Sequence, residues 1–386
     1  MHIKAFTIDI PEDVIDDLHR RLAATRWPDD FANDDWSYGA STGYIRSLAE
    51  YWRTGYDWRE RERSMNRFAH FRTTLQDVPI HFIHERGKGP TPVPLLLNHG
   101  WPWTFWDFHK VIGPLADPAA FGGDPADAFD VIVPSLPGFG FSAPLRTPGI
   151  NWWKTADMWV VLMEQLGYPR FTSTGGDVGA FITAQLGHKH AERMIGVHLH
   201  MSGKLGFMAG EGWAEADYTP EEARFVERMH RIRASESGHF VIQSTKPQSL
   251  AVGFNDSPAG LLAWLVDKRH NWSDCSGDVE RRFTKDELLD TAMIYWATQS
   301  FHTSARYYYE GAHVPWQPTH DRQPVVEAPT ALALFPCELT FAPRKAAERY
   351  YNLQRWTEMP AGGHFAPMEE PAALVDDLRA FFRDKR

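Results

Sequence analysis

Apolar and polar residues alternate along the chain with spacings that change from region to region, and each spacing predicts one kind of element. Near the N-terminus, apolar positions three and four residues apart predict helices over 11–24 and 44–53. From residue 68 the spacing becomes two, which predicts a pair of antiparallel strands over 68–73 and 78–84.

The middle of the chain alternates apolar runs with helical patterns. Continuous apolar runs predict buried strands at 93–98, 129–134 and 194–199. Another short strand ends at the glycine-bounded turn around residue 177, and helices are expected at 152–166 and from this turn to about 189. Strands alternating with helices predict an α/β fold with a mostly parallel sheet.

This alternation stops between residues 203 and 316, where the pattern is mostly helical. Ser257-Pro258 and the capping box from Thr284 to Glu287 both predict helix starts there. Strands at 331–335 and 353–358 then alternate with helices at 344–351 and 371–383. The expected organisation comprises an N-terminal wrapping segment with the first strands, a core in two parts and a helical lid, over 1–90, 91–202, 203–316 and 317–386.

Composition restricts the class of ligand. The 386 residues, 43% of them hydrophobic, are enough for a large packed core, so two domains or one domain with an insertion are expected. A formal net charge of -10 argues against nucleic acid and anionic membranes as partners, and leaves small neutral molecules. The 16 tryptophans indicate a large apolar cavity or aromatic interfaces.

The cysteines and the distribution of apolar residues predict the cellular compartment of the protein. Cys275 and Cys337 are the two cysteines and lack CxxC spacing, which favours a reducing compartment. The first residues do not form a signal peptide, and no run approaches the ~20 apolar residues of a membrane span. We expect a cytoplasmic protein without a membrane span, and a homo-oligomer is compatible with these properties.

The sequence Gly175-Gly176-Asp177-Val178-Gly179 joins a strand to a helix and has the form of a nucleophile elbow. Glycine on both sides of Asp177 removes Cβ atoms that would clash in so sharp a turn. The helix start supplies free N–H groups for developing negative charge. A carboxylate nucleophile suits displacement at saturated carbon, whereas serine would suit acyl transfer. The alternative is an ordinary turn with an aspartate cap.

Five motifs, in this order, make the chain resemble the epoxide hydrolases of the α/β-hydrolase superfamily, in the microsomal-type branch. The motifs are His99-Gly100-Trp101-Pro102, the elbow, Ser304-Ala305-Arg306-Tyr307-Tyr308-Tyr309-Glu310, Phe335-Pro336-Cys337-Glu338 and the stretch from Gly362 to Pro371. The resemblance covers nearly the whole chain. It implies hydrolysis of an epoxide by water to a vicinal diol, without a cofactor or metal, through an ester on Asp177.

The order nucleophile, acid, histidine is that of the α/β-hydrolase fold, and Asp177, Glu338 and His364 follow it. His364 is then the expected base, oriented by Glu338. The backbone N–H groups of Trp101 and Val178 are the expected oxyanion hole, and the Trp101-Pro102 bond is a candidate cis peptide. A metal site at His188, His190, His198 and His200 is not favoured, because these histidines lack a paired carboxylate or cysteine spacing.

The resemblance also implies two lid tyrosines that donate hydrogen bonds to the epoxide oxygen. Tyr308 matches one of them, with its neighbours Tyr307 and Tyr309 leaving the register open by one residue. His239 stands where the second tyrosine is usual, and a histidine can also donate an N–H. Two further departures are Val178 in place of tryptophan, and Trp103 in place of a small residue, which is expected to reshape the pocket.

Two other functions remain open at this stage. A haloalkane or haloacid dehalogenase shares the aspartate nucleophile, but it needs a halide cradle directly after the nucleophile, where Val178 offers its backbone N–H. A catalytically silent member of the family that serves as a binding protein is the other alternative, and the His239 substitution keeps it open.

Overall fold

The computed structural model describes residues 3–385. Within this range the chain forms a nine-stranded sheet in the order β1-β2-β3-β5-β4-β6-β7-β8-β9. The pairs β1–β2, β2–β3 and β3–β5 are antiparallel, and the remaining pairs are parallel. The strands are β1 Lys4–Phe6, β2 His70–Leu75, β3 Val78–Glu85, β4 Val93–Asn98, β5 Phe129–Pro134, β6 Phe171–Gly175, β7 Met194–Leu199, β8 Val326–Leu334 and β9 Tyr351–Glu358.

The helices lie before, between and after these strands, with a block of six between β7 and β8. The helices are α1 Glu12–Ala23, α2 Thr42–Thr54, α3 Trp58–Met65, α4 His109–Ala116, α5 Trp152–Gln165, α6 Val178–Lys189, α7 Ala223–Ser235, α8 Gly238–Thr245, α9 Pro247–Asp256, α10 Pro258–Trp272, α11 Lys285–Thr298, α12 Phe301–His313, α13 Arg344–Tyr350, α14 Ala366–Glu369 and α15 Pro371–Phe382. Every residue of β5 and β6 is buried, because the sheet is covered on both faces.

The predicted parallel sheet and the antiparallel pair at its edge are confirmed. The apolar runs coincide with β4, β5 and β7, and the period-two pattern coincides with β2 and β3 to within two residues. The largest strand error concerns β8, which begins at Val326 although a strand was predicted from residue 331. Pro329 lies inside this strand and its register with β9 shifts there, which hides the strand pattern.

The sequence-based prediction omitted several elements, including β1, α3 and α4. The strand β1 has three residues and no apolar pattern of its own. Helix α3 has the sequence WRERERSM, and its buried residues are Trp58, Glu62 and Met65. Because one of these three is a glutamate, the helix has no continuous apolar stripe in its sequence. The Asp57 carboxylate caps this helix by accepting the backbone N–H of Glu60 at 3.1 Å.

Within the block of helices α7 to α12, helices α10 and α11 start where their caps predict. Ser257 accepts the N–H of Gly260 at 3.0 Å at the start of α10, and Thr284 forms the expected capping box with Glu287 at the start of α11. The block follows the carboxyl end of β7, which is the edge of the sheet where the elbow also lies. No helix among residues 3–385 is both long and apolar enough to cross a membrane.

Asp290 joins the N-terminal segment, the helical block and the core. Its buried carboxylate lies 2.5 Å from the Arg61 guanidinium on α3 and accepts the Tyr56 hydroxyl at 2.8 Å. It also accepts the indole N–H of Trp106, which follows β4, at 3.0 Å. Three parts of the chain that are far apart in sequence therefore share one buried charge on α11.

Candidate active site

Asp177 lies in the sharp turn between β6 and α6. Its backbone has φ 50° and ψ −133°, a left-handed conformation that a residue other than glycine rarely adopts. A Cβ atom on Gly179 would lie 2.1 Å from the carbonyl oxygen of Asn98, and one on Gly175 would lie 2.3 Å from that of Gly179. The glycines that suggested an elbow are therefore required by close backbone packing.

The loop after β4 directs a backbone N–H at the Asp177 side chain. The Trp101 N–H donates to Asp177 Oδ1 at 2.7 Å, and the Val178 N–H also donates to this carboxylate. The Trp101-Pro102 peptide bond is cis, as expected. A Cβ atom on Gly100 would come within 2.3 Å of the Asp177 side chain, so this loop can approach the carboxylate because residue 100 is glycine.

His364 lies between two carboxylates. Its Nδ1–H donates to Glu338 Oε1 at 2.7 Å, and its Nε2 lies 3.5 Å from Asp177 Oδ2. Glu338 follows β8, and His364 follows β9, where a backbone bridge between Cys337 and Gly363 holds the two loops together. Asp177, Glu338 and His364, which are far apart in the sequence, thus lie together, with a hydrogen bond between His364 and Glu338 and the Asp177 carboxylate facing the other ring nitrogen.

The ionised states of Asp177 and His364 stabilise each other. Burial alone would lower the pKa of His364, but the Glu338 and Asp177 carboxylates outweigh it and raise the pKa to about 10. Burial alone would raise the pKa of Asp177, but His364 and the backbone N–H groups of Trp101 and Val178 outweigh it and lower the pKa. At neutral pH the free site therefore holds an ionised Asp177 beside a protonated His364.

Asp177 lies on the wall of a cavity of about 440 Å³ between the sheet edge and the helical block. Around Asp177 the wall is mainly apolar and aromatic, whereas charged side chains such as Lys204, Glu211 and Glu215 lie among the other lining residues. Its apolar contacts include Trp152, Val178, Phe181, Phe207, Phe240 and Trp272. A cavity of this size suits a small, largely apolar molecule.

Tyr308 and His239 lie on the cavity wall contributed by the helical block, from α12 and α8. The Tyr308 ring lies 6.0 Å from the Trp101 ring and 6.0 Å from the His239 ring. Burial, and next the charge of Asp177, raise the pKa of Tyr308, so its hydroxyl stays protonated at neutral pH. Tyr307 points elsewhere, since its hydroxyl bonds Thr155, and Tyr309 is partly exposed beside His313. The cavity thus takes the middle tyrosine of the three.

Two family models match the chain. One, described as the epoxide hydrolase N terminus, covers residues 3–108, and the other, described as the alpha/beta hydrolase fold, covers residues 93–371. A provisionally named epoxide hydrolase of Stigmatella aurantiaca is 40% identical over 385 residues, which is 100% of this chain and 86% of the relative. The chain belongs to the epoxide hydrolases.

Other epoxide hydrolases agree with this assignment over most of their length. Epoxide hydrolase 1 of Oryctolagus cuniculus is 34% identical, with 98% of this chain and 88% of the relative covered. The crystal structure of juvenile hormone epoxide hydrolase from the silkworm Bombyx mori matches with a TM-score of 0.88 at 29% identity, covering 100% of this chain and 95% of that one. The fold is therefore that of the α/β hydrolases.

The structure of this epoxide hydrolase adds Trp272 to the site. Trp272 ends α10, its backbone oxygen accepts the backbone N–H of His364 at 3.0 Å, and its ring meets the His364 ring edge-on at 5.2 Å. Its indole N–H donates to Glu236 Oε2 at 3.1 Å. Nothing in the local sequence separates Trp272 from the other 15 tryptophans, and the general excess of tryptophan was the available signal.

Trp103 does not line the cavity. Its buried ring lies edge-on to His364 at 5.6 Å and beside His200 at 5.8 Å. The sequence led us to expect Trp103 at the pocket, but the structure packs its ring against His364, away from the cavity wall.

The four clustered histidines have separate environments. His188 contacts the backbone oxygen of Val325 at 2.7 Å, His190 contacts Asp157 at 2.7 Å, and His198 contacts Asp377 at 3.0 Å. His200 packs under Trp103. Among residues 3–385 no three histidine, cysteine or acidic side chains are grouped in a way that could hold a metal ion.

Proposed function

We propose that this epoxide hydrolase opens its substrate through a covalent ester on Asp177. The observation that carries this proposal is the position of the Asp177 carboxylate on the cavity wall, with the Trp101 N–H on Oδ1 and His364 beyond Oδ2. Oδ1 is held where a carbonyl oxygen can be stabilised by N–H donors, which leaves Oδ2 free to attack. The substrate is a small epoxide, and water is the second reactant.

In the first step, Asp177 Oδ2 forms a bond to one epoxide carbon while the bond from that carbon to the epoxide oxygen breaks. The electron pair of the broken bond stays on oxygen, which takes the hydroxyl proton of Tyr308. Tyr308 suits this role because burial keeps its hydroxyl protonated and its side chain lines the same cavity as Asp177. The product of this step is a hydroxyalkyl ester.

Esterification removes the negative charge of Asp177, which had raised the pKa of His364. His364 then gives up its proton, which replaces the proton lost from Tyr308. The neutral imidazole takes a proton from water as the water oxygen attacks Asp177 Cγ, and the resulting negative oxygen is held by the Trp101 and Val178 N–H groups. The ester C–O bond breaks, the departing diol oxygen takes the proton from His364, and the new carboxylic acid returns a proton to His364.

Glu338 keeps the imidazole in the orientation that this second step needs. Its Oε1 accepts the His364 Nδ1–H at 2.7 Å and also the Leu339 N–H at 2.6 Å, so the carboxylate is itself fixed. The proton taken from water therefore arrives at Nε2, the nitrogen that faces Asp177. No cofactor or metal takes part in these steps.

The helical block is proposed to act as a lid over this chemistry. It supplies Tyr308, His239 and Trp272, whereas the strand ends supply Asp177, Glu338 and His364. This agrees with a division into a wrapping segment, residues 1–90, a first core part, residues 91–202, a lid, residues 203–316, and a second core part, residues 317–386. The cavity between lid and core would exclude bulk water from the ester.

Trapping the ester tests this mechanism. His364→Gln blocks the second step, so incubation with styrene oxide should add the mass of the whole epoxide to the protein, and peptide mapping should place it on Asp177. His313→Gln, which changes an exposed histidine, should turn over without accumulating an adduct. Asp177→Asn should give neither adduct nor diol until deamidation restores the aspartate.

Three results would overturn the mechanism. Immediate full turnover by Asp177→Asn would exclude the ester. An adduct lacking halogen after treatment with a haloalkane, with no adduct from any epoxide, would point to dehalogenation. Ligand binding with neither adduct nor diol from a panel of epoxides would indicate a silent binding protein.

A further inference from the structure

His239 faces the same part of the cavity as Asp177. Its ring stacks on the Trp101 ring with centroids 5.3 Å apart and planes 4° apart, and the backbone N–H of Trp101 is bonded to Asp177. The rings of Tyr308 and Trp272 lie 6.0 and 4.7 Å away. These three aromatic neighbours fix the imidazole beside the oxygen-binding tyrosine.

The hydrogen bonds of His239 decide which of its nitrogens carries the proton. Nδ1 lies 2.9 Å from the backbone oxygen of Glu236, and a carbonyl oxygen can only accept, so the proton is on Nδ1. Burial, together with the nearby Lys268, lowers the pKa of His239 to about 3, so the ring is neutral. Nε2 therefore carries a lone pair and no hydrogen.

The backbone of Glu236 holds this arrangement in place. The Glu236 side chain accepts the Trp272 indole N–H at 3.1 Å and lies 3.3 Å from Lys268 Nζ. Rotating the imidazole to present an N–H to the cavity would break the bond to the Glu236 carbonyl. Among residues 3–385, nothing donates a hydrogen bond to His239 Nε2, so this acceptor is left for a molecule in the cavity.

An epoxide oxygen cannot satisfy this acceptor, because an ether oxygen has lone pairs and no hydrogen. The sequence suggested His239 as a second donor to that oxygen, but the tautomer in the structure offers an acceptor. An acceptor buried beside the reacting group favours a ligand that brings its own donor, since an unpaired polar group in such a site costs binding energy. The donor must lie close to the ring, because His239 and Tyr308 are neighbours.

From this geometry we infer that His239 is a specificity-determining residue that selects epoxides with a hydroxyl group on the carbon next to the oxirane ring. The hydroxyl donates to His239 Nε2 while the epoxide oxygen accepts from Tyr308. The inference rests on the proposed function and adds to it the class of substrate, namely hydroxy epoxides with an apolar remainder.

Three epoxides of nearly equal size test the inference. They are trans-2,3-epoxy-3-phenylpropan-1-ol, its methyl ether, and trans-β-methylstyrene oxide. The alcohol can donate a hydrogen bond, the ether can only accept, and the hydrocarbon epoxide can do neither at that position. We expect kcat/KM for the alcohol to exceed both others by about fivefold or more in the wild-type protein, the effect of one buried hydrogen bond.

Variants of His239 separate this role from general fit. His239→Phe keeps an aromatic ring without an acceptor, so the ratio of alcohol to ether should fall to about one. His239→Tyr provides a donor to the epoxide oxygen, so the rates with the ether and the hydrocarbon epoxide should rise and the ratio should again approach one. Ser237→Ala, which removes a nearby hydroxyl that bonds the backbone of Arg233, should keep the wild-type ratio.

Equal kcat/KM values for the alcohol and the ether in the wild-type protein would overturn the inference, and would favour a water molecule as the ligand of Nε2. A preference for the alcohol that persists in His239→Phe would overturn it as well. Both results leave the ester mechanism standing. If none of the three epoxides gave a diol and His364→Gln formed no adduct, the proposed function would fail and this inference with it.

Discussion

Asp177 keeps its negative charge in a largely buried position because three groups compensate for the lost hydration. The Trp101 and Val178 N–H groups hold the carboxylate, and the protonated His364 ring lies beyond it. His364 supplies the largest of these compensating effects, and its own charge depends on Asp177 and Glu338. The charge state of each member of the site is therefore set by the others.

Removing the imidazole should move the pH dependence of ester formation. In the wild-type protein the pKa of Asp177 is lowered, so the attacking ion persists below the ordinary value of about 3.9. In His364→Gln the effect of burial is opposed less strongly, so the pKa of Asp177 rises. As the pH is lowered, ester formation should therefore be lost at a higher pH than in the wild-type protein. Rapid-quench measurement of ester formation against pH, in both proteins, checks this shift. Identical midpoints would show that the imidazole does not stabilise the carboxylate.

Gly100→Ala tests whether activity depends on the close approach of this loop to Asp177, because it changes no side chain of the proposed site. The new Cβ would come within 2.3 Å of the Asp177 side chain, so either the loop or the nucleophile must move. We expect kcat/KM to fall by roughly 100-fold, since small displacements of reacting groups have effects of this order.

The matched control for this substitution is Gly253→Ala, because a Cβ at position 253 in α9 meets no atom within 4 Å. It should retain the wild-type kcat/KM and a slightly higher thermal stability, since alanine favours a helix more than glycine does. Equal activity in the two variants would contradict the packing argument.

At the level of single residues, the sequence indicates which residues form the site better than it indicates their tautomers and packing contacts. The elbow and the order of Asp177, Glu338 and His364 follow from motif spacing, and the structure brings these three together. The tautomer of His239 depends on the backbone carbonyl of Glu236, which lies at the junction between helices α7 and α8. Trp272 reaches His364 through tertiary packing alone, so no local pattern could have indicated it.

Among the elements, α3 and α11 are coupled through one buried ion pair. Arg61 and Asp290 lie 2.5 Å apart, and burial, its largest influence, raises the pKa of Asp290 even with Arg61 beside it. This carboxylate is costly to bury, and Arg61, Tyr56 and Trp106 supply the contacts that offset the cost.

Arg61→Ala should destabilise the protein by about 3 kcal/mol, because it leaves a buried carboxylate without its countercharge. Chemical denaturation measured by tryptophan fluorescence checks the free energy of unfolding. Arg53→Ala removes an exposed pair with Glu50 on α2 and should change the stability little. A small effect of Arg61→Ala would show that Tyr56 and Trp106 are sufficient to hold Asp290.

Element types were predictable wherever one periodicity ran uninterrupted. The strands β4, β5 and β7 have continuous apolar runs and were placed correctly, and the caps of α10 and α11 marked their first residues. The start of β8 was missed because Pro329 and a register shift interrupt the pattern. Helix α3 was missed because buried glutamate and tryptophan replace an aliphatic stripe.

Across the whole molecule, the far edge of the sheet depends on one buried carboxylate. Asp377 on α15 accepts from Arg355 Nε at 2.7 Å and from the Thr357 hydroxyl at 2.8 Å, both on β9, and from His198 on β7 at 3.0 Å. Burial raises the pKa of Asp377, but these partners outweigh it and hold the pKa well below its ordinary value. Two strands and a helix are therefore joined by an ionised group.

Asp377 should contribute to the acid unfolding of the whole protein. Because its pKa is lower in the folded state, its contribution to stability is complete above the unfolded value of about 3.9 and is lost as the pH falls below that value. Asp377→Asn should be less stable at pH 7 by about 3 kcal/mol and should show a flatter loss of stability below pH 4.

Denaturation curves at a series of pH values measure this difference. Asp376→Asn, which changes the exposed neighbour, should keep the wild-type profile. An unaltered slope below pH 4 in Asp377→Asn would assign acid unfolding to other groups.

The bond from the backbone N–H of His364 to the backbone oxygen of Trp272 has a practical consequence for protein engineering. Exchanging the helical segment with that of a relative is an attractive way to graft a new selectivity onto this scaffold. In this protein such a chimera would also replace the residue whose backbone oxygen holds position 364, so a graft ending after Trp272 would change the pocket and the position of the proposed base together. Junctions that retain the recipient's Trp272 and its contact with position 364 give the transplanted segment a base that is already in place.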